Sequence, residues 1–451
     1  MRSRKGMVKT AALLRVSVVA ILLTALPHPV AAQDPLAGNG YSPYSLFGFG
    51  DLVRPGTTYN LSMGGIGIGD RNVRYINLLN PAAVTAREAK SFMMDFGLEN
   101  RNVLFQGNAA TSLGETATGV LTSADNTFNM HHIAATLPIA RHSAFKLGVM
   151  PYSTVSYTFT ADETSDALIA ESGDIRYTKN GTGGIYQAFL GAGVTLWDRL
   201  SLGADVDYYF GSIDRSSAAS FRNSASYRSL ESGWKYNVSC FGGKLGLQYA
   251  QPLTGALEAV AGVTYGFSTP LRGGVQRYAY GSTASRTDTI VSRNHSLENY
   301  RIPSEWGAGL TLRHAERWML GFDYSRQDWT GMTFEGYPGV DFSAGVAQNF
   351  RAGFEVTPNR YDVRHWLRRL TYRGGAYREY SHVFLNGSQV TTTGFTLGVG
   401  IPVFRYYNSI NVGVDFGQRG SLDNNLVRER YFLFTISFNL HDIWFIPTLY
   451  N

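Results

Sequence analysis

The sequence has one cysteine, no long apolar segment after its first residues and almost no net charge once those residues are set aside. The single cysteine, Cys240, excludes an internal disulfide framework. Beyond residue 32 no stretch approaches the roughly 18 consecutive apolar residues of a membrane-spanning helix, which excludes a helical membrane protein. Five of the 40 Lys and Arg residues and none of the 34 Asp and Glu residues lie in the first 32 positions, so 35 basic residues face 34 acidic ones afterwards. That balance gives no indication of nucleic-acid binding.

The first 32 residues have the pattern of a cleaved signal peptide. Basic residues precede an apolar run at 16–26, and Val30-Ala31-Ala32 has the small-x-small form of a signal-peptidase site. The run is short of the roughly 20 residues that span a bilayer, and Pro27 closes it. We therefore predict an exported protein whose mature chain begins near Gln33.

Glycine and aromatic residues are abundant. The 451 residues include 50 glycines, 26 phenylalanines and 27 tyrosines, whereas average glycine usage is about 7%. Small residues fit crowded barrel lumens, and aromatic residues form girdles at both membrane interfaces. A soluble β-sandwich rich in glycine and tyrosine has the same composition, so the pattern along the chain has to decide.

Strand periodicity favours a transmembrane β-barrel. In 430–440, Phe432, Phe434 and Ile436 fall on one side, with Leu433 and Thr435 on the other. The same two-residue repeat occurs at 200–210, 257–267, 306–313, 318–325 and 410–417. One face of such a strand meets lipid and the other lines a polar lumen, whereas a soluble sandwich would carry polar residues outside.

Short and long connections alternate along the chain. Short ones lie near 139–143, 197–199, 251–255, 314–317 and 402–408, and long polar ones cover 161–182, 212–233, 270–300, 328–344 and 418–429. Short turns at one end and long loops at the other are typical of outer-membrane barrels, and segments of about 10 residues give about 14 strands. The predicted all-β organisation is a signal peptide at 1–32, an N-terminal hatch segment at 33–89, a transmembrane antiparallel β-barrel at 90–440 and an aromatic tail at 441–451.

Residues 33–89 do not alternate and contain the densest local motif of the chain. Gly64, Gly65 and Gly67 are followed by Asn80-Pro81-Ala82. The glycines lack the spacing and the strand-to-helix context of a dinucleotide site, but they let a chain run against other backbone in a narrow space. A barrel of about 14 strands has a lumen too wide for wall side chains to fill, so we predict that this segment occupies it.

These motifs resemble the FadL/OMPP1/TodX family of outer-membrane barrels. The resemblance rests on the glycine-rich stretch with Asn80-Pro81-Ala82 and on 302–310 followed by 318–325 and Asp328-Trp329, while 42–52 and 439–445 are similar to a branch common in Bacteroidetes-type envelopes. It implies a barrel with a lumenal hatch and, in transporting members, passage of hydrophobic compounds such as fatty acids through a break in the third strand. Other members are non-transporting partners in secretion or barrel-assembly machinery.

Candidate site residues follow from the strand pattern. Pro151 lies at mid-length of the predicted third strand and removes a ladder hydrogen bond. It is therefore a candidate for the lateral opening that the resemblance implies in that strand. A position at the membrane boundary explains this proline equally well. The residues predicted to line a polar lumen, where acids and bases usually pair, are Asp205, Asp207, Asp323, Arg313 and Arg351. Nothing in the sequence brings the two arginines together as a site for a fatty-acid carboxylate.

No motif predicts catalysis, a metal ion or a cofactor. Asp205 and Asp207 share one strand face, as paired catalytic carboxylates can, but solvation of the lumen is the commoner role. His131 and His132 are expected on opposite strand faces, which is a poor geometry for binding a metal. The sequence therefore predicts a protein that is not an enzyme.

Two functions remain, and the lipid bilayer is a partner in both. The first is a channel for passive uptake of hydrophobic or amphipathic small molecules past the hatch. The second is a structural, non-transporting barrel subunit that binds other subunits of an outer-membrane secretion or barrel-assembly complex, to which an aromatic tail could contribute a contact surface. A general porin is disfavoured because a hatch blocks free diffusion.

Overall fold

A computed structural model describes residues 42–88, 90–108, 120–221, 227–283, 286–297, 300–332, 341–403 and 408–443. The predicted signal peptide and the aromatic residues Trp444, Phe445 and Tyr450 lie outside these ranges. Within them, no helix has the length and apolar character needed to cross a membrane.

Fourteen antiparallel strands form a closed barrel, which confirms the predicted fold. They are β1 (Ser91–Asn108), β2 (Val120–Ala140), β3 (Ser143–Asp162), β4 (Ile175–Leu196), β5 (Leu200–Phe221), β6 (Ser229–Thr254), β7 (Leu257–Gly266), β8 (Glu305–His314), β9 (Trp318–Asp328), β10 (Val346–Val356), β11 (Thr371–Leu385), β12 (Ser388–Pro402), β13 (Ser409–Arg419) and β14 (Arg428–Ile443). Each strand pairs with the next in the chain, and β14 pairs with β1 along most of its length. This last pairing closes the sheet.

Smaller elements decorate the barrel. Four further strands join the sheet: Asp51–Leu52 beside β3, the hairpin of Gly273–Ser282 and Thr287–Ser296 beside β6, and Phe342–Ala344 beside β11. Thr269–Pro270 and Arg301–Ile302 form a separate pair. The helices are α1 (Thr58–Leu61), α2 (Asp166–Ser172) and the 3₁₀ turns Pro43–Leu46, Pro81–Thr85, Trp366–Arg369 and Asp423–Asn425.

Exposed apolar and buried polar side chains alternate along the strands. Val206 in β5 and Leu310 in β8 are 57% and 59% exposed, whereas their neighbours Asp205 and Thr311 are buried. Apolar residues at outward positions are favourable when the outer surface contacts hydrocarbon instead of water. The exterior is therefore a lipid-facing wall, and the protein has the fold of an outer-membrane barrel.

On the long-loop side, the strands extend further than predicted. β4 begins within the stretch predicted as a loop at 161–182, β5 continues to Phe221, and a hairpin occupies much of 270–300. Polar, Ser- and Thr-rich sequence suits strands that project beyond the membrane, because neither face needs apolar residues there. The prediction that these stretches are long loops between strands was wrong for the parts that form strands.

Candidate functional site inside the barrel

Residues 42–88, which we call the inner segment, lie inside the barrel. Apart from Asp51–Leu52, which pairs with β3, its backbone forms no wall strand, and most of its side chains are buried. Tyr59, Met63 and Ile66 are at most 1% exposed and pack with Tyr75 and with Met319 of the wall. The described part of the predicted hatch therefore fills lumen volume that wall side chains leave open.

Ten consecutive strands, β4 to β13, each turn at least one glycine toward the inner segment, and we consider one from each strand. We call these residues the glycine ring: Gly193, Gly203, Gly246, Gly262, Gly309, Gly321, Gly353, Gly375, Gly398 and Gly413. A Cβ atom at Gly262 would overlap the carbonyl oxygen of Ile68, and one at Gly375 would overlap the amide nitrogen of Gly64. At these two positions wall and segment thus approach backbone to backbone, which only glycine allows. At Gly321 the neighbour is instead a side-chain atom, Cδ1 of Ile66.

The remaining four strands complete the contact around the lumen. Asn439 of β14 donates from Nδ2 to the carbonyl oxygen of Arg74 at 2.8 Å. Strands β1 to β3 contribute to an apolar cluster made of Ile76, Leu78, Met93, Ala134, Met150 and Phe189. The glycines lie a few residues from the short turns, for example Gly203 after the turn at 197–199, so the inner segment contacts the whole wall near the short-turn end.

The glycines predicted from the motif lie where the backbone conformation or close neighbours favour glycine. Gly64 and Gly65 have positive φ angles of 72° and 83°, a conformation that favours glycine. The amide of Gly64 donates to Oγ1 of Thr396 at 2.7 Å. A Cβ atom at Gly67 would lie 2.6 Å from Nδ2 of Asn60, which leaves no space for a side chain.

Asn80-Pro81-Ala82 fastens the end of the inner segment. Oδ1 of Asn80 accepts from the amide of Ala82 at 3.0 Å and caps the 3₁₀ turn Pro81–Thr85. Nδ2 of the same side chain donates to the carbonyl oxygens of Ile68 and Leu247, at 2.8 and 3.2 Å. One asparagine therefore joins two parts of the inner segment to β6.

Charged wall residues bind the middle of the inner segment. The buried carboxylate of Asp323 accepts from the amides of Gly67 and Ile68 at 2.6 and 2.8 Å. Nη2 of Arg313 lies 2.7 Å from Oδ1 of Asp70. Two of the predicted lumen residues thus hold the segment directly.

Arg351 belongs to a second group of charges, which sequence analysis did not find. Arg54 of the inner segment lies 3.0 Å from Glu379 and 2.8 Å from Asp415, and Arg351 lies 2.9 Å from the same Glu379. Arg351 and Arg313 therefore bind different carboxylates. No pattern in the sequence pairs Arg54 with residues more than 300 positions away.

A third ion pair joins the inner segment to a short turn. Nη2 of Arg74 lies 2.6 Å from Oε1 of Glu316, and Arg360 approaches the other oxygen at 3.8 Å. Burial disfavours the charged carboxylate, but the two guanidinium groups outweigh it and hold the pKa of Glu316 below its usual range.

Asp205 and Asp207 are both buried on the inner face of β5. Asp205 lies 2.9 Å from Nζ of Lys146, and Asp207 accepts from Nε2 of Gln187 at 2.8 Å. The two carboxylates thus have separate partners, an arrangement that favours structural pairing in the lumen over shared acid–base chemistry.

His131 and His132 do not lie on opposite faces, so that prediction was wrong. A register shift in the β1–β2 ladder at this point leaves both side chains buried, with their Nδ1 atoms 3.0 Å apart. His132 also contacts Asp95 at 2.6 Å. Among the residues that the structure describes, no group of three or more His, Cys, Asp or Glu side chains could hold a metal ion.

Strands β2 and β3 separate next to Pro151, and we call this place the parting. Strands β2 and β3 pair only from Ile133 and Val149 down to the short turn. Beyond Pro151 the ladder between β3 and β4 shifts register, and the strand Asp51–Leu52 of the inner segment pairs with β3. The proline thus marks the place where the inner segment, and not β2, becomes the partner of β3.

A cavity of about 590 Å³ lies on the long-loop side of the glycine ring and reaches this parting, where Phe128 and Pro151 line it. Much of its lining is charged or polar, including Lys146, Lys244 and Glu305. Farther along the strands, a buried apolar cluster surrounds Phe49 of the inner segment.

Solved structures with a similar fold include proteins described as a monoaromatic hydrocarbon channel, a toluene transporter and a FadL homologue, and the likeness is one of fold. The chain superposes on the CymD monoaromatic hydrocarbon channel with a TM-score of 0.53 and 14% identity, covering 85% of this chain and 97% of that one. The Ralstonia pickettii toluene transporter TbuX gives 0.52 and 15%, covering 86% and 98%. A Pseudomonas aeruginosa FadL homologue gives 0.53 and 12%, covering 88% and 100%.

The family is shown by sequence. The BamG family model matches residues 7–451, so the chain belongs to the BamG family. No curated protein matches the sequence. The predicted assignment to a Bacteroidetes-type branch of the FadL family is not tested by these matches.

Proposed function

We propose that this protein is a structural, non-transporting barrel subunit of an outer-membrane barrel-assembly complex. The observation that carries the proposal is the continuous contact between the inner segment and all fourteen strands near the short-turn end. A conduit along the barrel axis would require this contact to break.

The contact is costly to break because it is close-packed and charged. At Gly262, Gly353 and Gly375 of the glycine ring, wall and segment pack backbone to backbone, so no flexible side chain could swing aside there. Arg54, Asp70 and Arg74 each have a charged wall or turn partner within 3 Å. The pairs of Arg54 and Asp70 are largely buried, and separating a buried pair costs about 3–5 kcal/mol, whereas Glu316, the partner of Arg74, is half exposed and its pair contributes less. Such a segment favours a rigid body that presents fixed surfaces to other subunits.

The lining of the cavity and the family membership also support a structural subunit. Charged groups such as Lys146, Lys244 and Glu305 alternate with apolar ones such as Phe128 and Met150 in the cavity lining, whereas small-molecule sites for apolar ligands are lined mostly by hydrophobic side chains. Membership of the BamG family favours a role in barrel assembly over one in uptake.

Depletion of the protein from its source bacterium tests the proposal. We expect the amounts of other outer-membrane barrels to fall together, while periplasmic soluble proteins stay constant, and we expect the protein to be recovered from gently solubilised membranes with other barrel-assembly subunits. Quantitative proteomics of purified outer membranes measures the first effect. Unchanged barrel levels combined with recovery of the protein alone would contradict the proposal.

A second candidate is a channel for hydrophobic or amphipathic molecules through the side of the barrel. One specific observation favours it: the cavity reaches the parting of β2 and β3 at Phe128 and Pro151. The solved structures of similar fold include proteins described as a monoaromatic hydrocarbon channel and a toluene transporter.

Uptake by proteoliposomes separates the two candidates. If the protein is a structural subunit, liposomes that contain it should take up a labelled fatty acid or toluene no faster than empty liposomes. A channel would give faster uptake, and a larger side chain at the parting, such as Ser153→Trp beside Leu52, would then slow it. Heat-modifiable migration on gels controls for folding of the variant.

A further inference from the structure

The connection between β10 and β11, residues 357–370, differs from the other links at the short-turn end. It is long and contains the 3₁₀ turn Trp366–Arg369, whereas β4 and β5 are joined at the same end by a tight turn at 197–199. Val363 is 93% exposed, and Trp366 and Leu367 are 53% and 54% exposed. We call residues 357–370 the basic loop.

The fold of the basic loop is fixed by hydrogen bonds. Oδ1 of Asp362 accepts from the amides of Arg364 and His365, both at 2.9 Å. The amide of Asn359 donates to the carbonyl oxygen of Arg368 at 2.8 Å, which closes the loop on itself. The exposed side chains are therefore presented by a defined backbone.

One contact places the loop at the outer rim of the barrel. The hydroxyl of Tyr372 donates to the carbonyl oxygen of Leu367 at 2.9 Å. Tyr372 is an outward residue of β11, since it is exposed between the buried Thr371 and Arg373. Leu367 and its neighbour Trp366 thus lie beside the lipid-facing wall, at the level where aromatic residues meet membrane head groups.

The charge left over on the basic loop is positive. Its one acidic residue, Asp362, is satisfied within the loop, because the amides of His365 and Arg364 hold the pKa of its carboxyl below the usual range. Arg368 lies 3.5 Å from this carboxylate. Within the described ranges, Arg364 and Arg369 have no acidic partner.

We propose that the basic loop is a binding site for the head groups of anionic phospholipids at the short-turn rim. Guanidinium groups bind phosphate through charge-assisted hydrogen bonds, while tryptophan and leucine enter the boundary between head groups and acyl chains. The bond from Tyr372 to Leu367 favours a lipid over a soluble acidic peptide, because it holds the backbone of these exposed apolar residues beside the lipid-facing wall.

Native mass spectrometry of the purified full-length protein in mixed micelles tests this site. We expect retention of phosphatidylglycerol over phosphatidylcholine, and we expect the double variant Arg364→Gln and Arg369→Gln to weaken phosphatidylglycerol binding roughly 30-fold, from about one kcal/mol per arginine. Arg378→Gln is the matched control, since Arg378 is an exposed arginine beside the ring of Tyr380 on the same strand.

A second measurement reads the site directly. Phosphatidylglycerol with brominated acyl chains should quench the fluorescence of Trp366, which is identified as the part of the tryptophan emission that is lost in Trp366→Phe. Equal retention of both lipids, or an equal loss in the Arg378→Gln control, would overturn the proposal in favour of a general basic girdle. The proposal would also be overturned if the double variant retained phosphatidylglycerol as well as the unaltered protein does. If that variant instead lost an acidic protein partner, the loop would be a protein-binding site and the proposal would be overturned as well.

Discussion

Replacing Gly262 and Gly375 by valine is expected to drive the inner segment out of its place in the lumen. A side chain at Gly262 meets the carbonyl oxygen of Ile68, and one at Gly375 meets the amide of Gly64. These obstacles are backbone atoms, which cannot rotate away as the end of a flexible side chain could. Overpacking costs about 1–3 kcal/mol at each site, so the double variant should lose about 2–6 kcal/mol of segment binding.

Limited trypsin digestion measures this effect, because Arg71 and Arg74 of the inner segment become cleavable only when it leaves the wall. The barrel itself should stay folded and keep its heat-modifiable migration. The matched control is the double variant with valine at Gly255 and Gly274. At Gly255 no atom lies within 4 Å of the new Cβ, and at Gly274 the nearest atom, the carbonyl oxygen of His295, is 3.9 Å away. Equal protection of the segment in both double variants would show that the glycine ring is not a close contact.

Asp323→Ala is expected to have the largest effect of any single wall substitution. The carboxylate accepts two short hydrogen bonds from the amides of Gly67 and Ile68, and the alanine leaves both donors unsatisfied in a buried place. Hydrogen bonds to a charged group contribute about 1.5–3 kcal/mol each, so the loss is roughly 3–6 kcal/mol. Hydrogen exchange of these two amides should therefore accelerate at least about 100-fold.

Asp207→Ala supplies the comparison, since Asp207 is equally buried in the wall but accepts from Gln187 of the neighbouring strand. Exchange at Gly67 and Ile68 should be unchanged in that variant. If Asp323→Ala leaves exchange at both amides unaltered, the carboxylate does not hold the inner segment.

The wall of the barrel could be predicted from sequence because its physical requirement is local. Each spanning strand must turn apolar side chains to lipid, which produces a two-residue repeat in the sequence. The exposed Val206 next to the buried Asp205 is an example of this repeat. Polar strands beyond the membrane carry no such requirement, so the extension of β5 to Phe221 was predicted as loop. The faces of His131 and His132 were mispredicted because a single register shift reverses the alternation.

The candidate site was predictable only in part. Inward glycines such as Gly203, Gly262 and Gly413 follow from the strand repeat, but that they face one inner segment depends on how the barrel closes. The partners of Arg54 lie more than 300 positions away, and ion pairs of that kind carry no spacing signal. The basic loop has neither strand periodicity nor a motif, and its position beside Tyr372 appears only in the fold.

A disulfide between the inner segment and the wall tests most directly whether the protein functions while the inner segment stays bound to the wall. A Cβ atom at Gly413 would lie 3.4 Å from Cβ of Ser62, close to the roughly 3.5–4.5 Å of a disulfide. Its nearest neighbour, at 2.6 Å, is Oγ1 of Thr435, a side-chain hydroxyl that can rotate away, unlike the backbone atoms that face Gly262 and Gly375. The variant combines Ser62→Cys and Gly413→Cys with Cys240→Ser, and each single-cysteine chain serves as control. Maleimide labelling confirms that the bond forms.

In the depleted bacterium, the oxidised, locked variant should restore the amounts of other outer-membrane barrels as fully as the unlocked protein. That result is predicted if the inner segment stays fixed while the barrel acts as a structural subunit. Restoration that is lost when the bond forms and regained on its reduction would contradict it, because the segment would then have to move for the protein to function.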